Sequence, residues 1–128
     1  MRAHAVINKV IKKAVGQVPT HLKGRFAEKF ALAILMLKGY TPLSVNDRSG
    51  IAEVDLLLSK GDVIVLVEVK YRGTIEEGHY AIHPSQRARL EMQAALIQRQ
   101  YPNKFVRIDG FFVYPHTPYV EHVENLWI

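Results

Sequence analysis

The chain is 128 residues long, one domain's worth, and at 48% hydrophobic and 23% charged residues it can build an ordinary core. It has no cysteine, which excludes disulfides and thiolate zinc sites. Its formal charge of +5 suits a polyanionic partner such as nucleic acid, although charge alone does not select one.

Val6, Ile7, Val10, Ile11, Ala14 and Val15 recur with helical spacing between Lys9, Lys12 and Lys13. This pattern suits a short N-terminal helix or extension over residues 1–19, and the lysines break any signal-peptide core. The longest apolar run, Phe30 to Leu37, is too short to span a bilayer, so no membrane role and a cytosolic location are expected. The remainder, residues 20–128, reads as one α/β domain without repeats or linkers.

A helix is expected from a Thr20 cap to about Lys38, stopped by Gly39. Its second half is apolar all round and should be buried on most sides, with Glu28 entering that stretch as a carboxylate in need of a partner. A short irregular strand follows Thr41-Pro42 to Val45, then a turn over Asn46 to Gly50. Ile51–Leu58 and Val63–Tyr71 read as a hairpin, and apolar residues on both faces make the second strand central. A glycine-containing loop leads to a helix from Pro84 to about Gln100, with Leu90, Ala94 and Ile97 inward. Phe105–Tyr114 is a further strand, and Val120–Ile128 an edge strand or packed tail. The order implies a central mixed sheet flanked by helices.

Strand alternation puts Glu53 and Asp55 on one face of their strand, and Glu68 and Lys70 on one face of theirs. A hairpin centred between Lys60 and Gly61 would oppose Asp55 to Leu66 and Glu53 to Glu68, bringing all four charges together; a one-residue slip would separate them. Opposed carboxylates repel. A hard divalent cation removes the conflict, and with Lys70 nearby the set could hold a phosphodiester and activate water. A salt-bridged strand end is the plainer alternative.

Helix Gly24-Arg25-Phe26-Ala27-Glu28, Gly39-Tyr40, Asn46-x-Arg48, Glu53-Val54-Asp55-Leu56-Leu57 and Val67-Glu68-Val69-Lys70-Tyr71-Arg72 occur in this order. With Arg107-Ile108-Asp109 and the tail His122-Val123-Glu124-Asn125-Leu126, they resemble the YraN family, from about residue 24 to the C-terminus. The resemblance implies a restriction-endonuclease-like PD-(D/E)xK fold. It implies a metal-dependent endonuclease acting on DNA, branched or distorted DNA included. Asp55 then supplies the first aspartate, Glu68 and Lys70 the (D/E)xK pair, Glu53 an accessory acid and Glu28 the helix acid. Asp55, Glu68 and Glu53 would bind Mg2+ or Mn2+. Ala52, Tyr71 and Gln86 depart from the family pattern, which usually has Gly, Thr and Lys there.

Arg48, Arg72, Arg87 and Arg89 are candidate phosphate contacts, and equally plausible solvated charges. His79 and His83 have i, i+4 spacing, but Gly78 and Pro84 place them in a loop, a poor zinc pair. The aromatics Tyr71, Tyr80, Phe111 and Phe112 read as core or rim rather than stacking platforms. A homodimer is compatible with cutting both strands of a symmetric junction. The rival from another class is a nucleic-acid-binding or complex-building module that keeps the nuclease fold without cleavage.

Overall fold

A computed structural model describes residues 23–47, 54–74, 76–77 and 82–127, with the single positions 9 and 13. Glu53, Arg48, His79, the Thr20 cap and nearly all of the 1–19 extension lie outside the described residues. The elements are α1 (Lys23–Leu37), β1 (Thr41–Asp47), β2 (Val54–Lys60), β3 (Val63–Tyr71), α2 (Pro84–Gln100), β4 (Phe105–Val113) and β5 (Val120–Val123). The sheet runs in the order β1-β2-β3-β4-β5. Only β3 and β4 are parallel among these neighbours, because α2 carries the chain back between them.

α1 stops as expected. Gly39 adopts φ +96, Gly39 N–H donates to the Met36 carbonyl and Tyr40 N–H to that of Leu35, both at 3.0 Å. This is the left-handed glycine cap that satisfies the last helical carbonyls. α2 starts on a capping box, with His83 Nδ1 accepting from Ser85 N–H and Gln86 Oε1 from His83 N–H.

β3 is buried from Ile64 to Val69, so its central place follows from its apolar faces. Val65, Val67 and Val69 pack under Ala27, Ala31 and Leu35 of α1, with Phe111 and Val113. Ile64 and Leu66 pack with Ile97 on the other face, against Ala94, Val106 and Ile108. α1 buries the i, i+4 stripe Ala27–Ala31–Leu35 against the sheet, with Phe26, Phe30, Leu32 and Ile34 packed half-buried beside it. The expected burial on most sides is therefore corrected: Leu37 is 88% exposed, because one sheet face reaches one side of a helix.

Two boundaries also shift. β1 continues to Asp47, past the expected end at Val45, and its pairing with β2 is irregular between Pro42 and Ser44, where proline suits an edge strand. The hairpin centre moves. Lys60 pairs with Val63 across a Gly61–Asp62 turn, and Gly61 takes φ +58, which favours glycine. Leu57, rather than Asp55, opposes Leu66. Among the described residues, no helix is long and apolar enough to cross a membrane.

Candidate functional site

The register error is of two residues, an even number, so each side chain keeps its expected face. Cα pairing of β2 with β3 ends at Leu56↔Val67. One further step in that register would set Asp55 against Glu68. There β2 leaves the ladder, and Asp55 Oδ2 accepts the Val69 N–H at 2.9 Å in place of a β2 carbonyl. The carboxylate is thereby fixed at the fork between two strands.

Glu68 interrupts the apolar run of β3 and is only 6% exposed. Its Oε1 lies 3.1 Å from Lys70 Nζ, the two being neighbours on one strand face. Gln86 Nε2, at the start of α2, donates to the same oxygen at a long 3.5 Å. Glu68 therefore ties the helix start to the sheet. Opposite it on β4 is Gly110, where an added Cβ would meet the buried Phe112 ring at 2.8 Å and Leu126 at 3.0 Å. A side chain there would need that ring to move.

Burial, then repulsion from Asp55, pushes the Glu68 carboxyl up to about 7, with Lys70 opposing and Glu28 of α1 adding to the rise. Asp55, Lys70 and Glu28 thus each act on Glu68. Folding a carboxylate whose proton affinity rises favours its protonated form. Stability from Glu68 is therefore full below its ordinary value of 4.5 and is lost as pH rises through about 7. Glu68→Gln should be more stable than wild type at pH 8 by roughly 1–3 kcal/mol, and the two should converge near pH 4. Denaturant melts at the two pH values check this; equal stabilities at pH 8 would refute the burial argument.

The basic candidates divide. Arg72 Nη1 donates to the Tyr71 carbonyl at 2.7 Å, and Arg87 pairs with Glu91 at 2.9 Å while lying over the Trp127 ring. Arg89 is exposed on α2. His83 serves as the α2 cap, and Phe111 and Phe112 are core.

Sequence reasoning assigned no role to a second constellation. Asp109 is fully buried, and Arg107 grips it with Nε on Oδ1 at 2.8 Å and Nη2 on Oδ2 at 2.9 Å. His122 Nε2 stands 2.8 Å from Oδ2, and Asn125 N–H donates to Oδ1 at 3.1 Å. Arg107 Nη2 also donates to Tyr40 Oη at 2.7 Å, and Lys38 Nζ lies 3.0 Å from His122 Nδ1. The signal available was Arg-x-Asp on one face of a central strand, a costly pattern unless paired.

A family model described as uncharacterised protein family UPF0102 matches residues 27–113, a span that includes Glu28, Asp55, Glu68, Lys70 and Asp109. A UPF0102 protein of Methylorubrum extorquens is 36% identical over 115 residues, covering 84% of this chain and 90% of its own. One from Methylorubrum populi is 40% identical over 99 residues, covering 75% and 79%. One from Caulobacter vibrioides is 37% identical over 107 residues, covering 81% and 85%.

Proposed function

The chain belongs to UPF0102, the YraN family, and on that premise we propose that it is a cytosolic, metal-dependent endonuclease that hydrolyses phosphodiester bonds of DNA. The observation that carries the reading is the fork of β2 and β3, where Asp55 and the buried Glu68 repel one another and Lys70 stands 3.1 Å from Glu68. A buried carboxylate held beside another is an expensive arrangement for a purely structural strand end.

A divalent cation suits these donors. Magnesium takes one or two carboxylates and completes its shell with waters and phosphate oxygens. Among the described residues no three His, Asp or Glu side chains form a group able to hold an ion. Asp55 and Glu68 would hold it together with Glu53, which lies outside the described residues, and water and substrate would fill the remaining positions. When bound, the cation supplies charge that helps a water ionise near neutral pH and offsets charge growing on the phosphate.

The chain's own residues do the rest. Asp55, braced by the Val69 N–H, keeps one carboxylate in place. Lys70 orients the attacking water or counters negative charge on the phosphoryl oxygens. Gln86 holds Glu68 from α2. Glu28 sharpens the negative field from α1. Arg72, Arg87 and Arg89 offer sequence-independent phosphate contacts.

Manganese or magnesium should raise the melting temperature of the wild type at pH 8, where Glu68 is ionised, because a ligand bound only by the folded state stabilises it. Asp55→Asn should lose that response while melting no lower than wild type without metal, a repelling charge having been removed. A wild type indifferent to both metals, or an Asp55→Asn protein that responds as strongly, would place the cation elsewhere or nowhere.

A further inference from the structure

A groove of about 230 Å³ lies between the N-terminal half of α2 and the C-terminal tail. Val106 and Ile108 of β4, Ala94 of α2 and Leu126 give it an apolar floor, and Trp127 with the polar Arg87, Glu91, Arg107 and Asn125 completes it. The Arg87 guanidinium sits 5.0 Å from the centroid of the Trp127 ring. The α2 wall is tied to Glu68, and the tail wall lies against its strand partner Gly110. Gln86, the residue before Arg87, donates to Glu68, and Leu126, the residue before Trp127, packs at Gly110, the β4 partner of Glu68.

We propose that this groove receives one unpaired nucleobase beside the scissile phosphate, stacked on Trp127, with the adjoining phosphate on Arg87. The inference rests on the nuclease reading above and adds the class of DNA taken: single-stranded or splayed nucleotides. Size argues for a single ring system, since pockets enclosing larger ligands run to ~300–1000 Å³. Bases stack on aromatic rings without sequence preference; Arg87 covers one face of Trp127, and the base takes that place as the guanidinium swings to the adjoining phosphate. Inside a duplex both faces of each base are already stacked and its edges are paired, so only a displaced base can enter. The Arg87–Glu91 pair is an exposed i, i+4 contact that a phosphate displaces at small cost.

Trp127 is the chain's only tryptophan, so its fluorescence reports on this groove alone. The wild-type protein, in EDTA, is titrated with a short oligothymidylate and with a blunt duplex of equal length. Tryptophan emission and the anisotropy of labelled DNA are followed together. The single strand should quench emission and the duplex should leave it nearly unchanged. Trp127→Ala should bind the single strand about tenfold more weakly and the duplex as before, and Trp127→Phe should restore most of the loss. Single-strand binding without quenching, equal quenching by both DNAs, or wild-type affinity in Trp127→Ala would overturn the groove and leave the carboxylate site untouched. Failure of either DNA to bind at low salt would remove both readings. Should Trp127→Ala not fold, the wild-type comparison and Trp127→Phe still decide.

Discussion

Lys70→Ala is expected to lose DNA cleavage by roughly 100- to 1000-fold, the usual effect of deleting one group that stabilises charge in a transition state. The same variant should still bind DNA within about an order of magnitude of wild type, because affinity is spread over many phosphate contacts and one lost cation is a modest part. Lys70 is ion-paired with Glu68 and mostly buried, so its removal also leaves Glu68 without its nearest positive charge. That should raise the pH at which metal begins to bind, a shift that a merely structural lysine would not cause. Single-turnover cleavage and binding measured across pH separate the two effects. Cleavage within threefold (about 0.7 kcal/mol) of wild type would remove Lys70 from the chemistry.

Asp109→Asn should lower stability by about 3–5 kcal/mol, the typical result of breaking a buried ion pair from one side. For a chain of this length that corresponds to a fall in melting temperature on the order of 10 °C. Burial by itself would raise the Asp109 carboxyl, but hydrogen bonds from His122 and Arg107 outweigh it and hold the group below the usual aspartate value of 3.8. Its stabilisation is thus complete above that value and disappears as pH falls through the lowered one. The variant should lack this acid-side loss. The consequence reaches the candidate site, because Asp109 fastens the tail through His122 and Asn125, and the tail's Leu126 packs at Gly110 opposite Glu68. Calorimetric melts at several pH values test this, and a drop of no more than ~2 °C would show Arg107 to be satisfied without its partner.

Local chemistry made much of the fold legible. Gly39 ends α1, Pro84 opens α2 and the valines of β3 mark a strand covered on both faces, each a choice made by a few neighbouring residues. Face parity survived a wrong hairpin centre, since Gly61–Asp62 rather than Lys60–Gly61 makes the turn and the displacement is even. The Asp55 fork was less accessible. Side-chain capture of the Val69 N–H depends on where β2 peels away, which no alternation pattern encodes. The apolar run Phe30–Leu37 overstated burial because hydrophobicity records what a helix can bury, and the sheet fully covers the Ala27–Ala31–Leu35 stripe, half-covers Phe30, Leu32 and Ile34, and leaves Met36 and Leu37 exposed. The Asp109 hub was legible only in part: Arg-x-Asp on one strand face marks the pair, while the other members lie far apart in sequence. Those others come from Lys38 and Tyr40 just after α1, from β5 and from the tail, and only the folded sheet brings them within hydrogen-bonding distance.

The most direct measurement is a gel assay of the wild-type protein on linear, flapped and four-way DNA, with manganese and with EDTA, beside Asp55→Asn. Manganese-dependent cutting that EDTA abolishes and Asp55→Asn lacks is the predicted result. DNA binding with no cutting of any substrate would contradict the nuclease and leave a binding module built on the same fold.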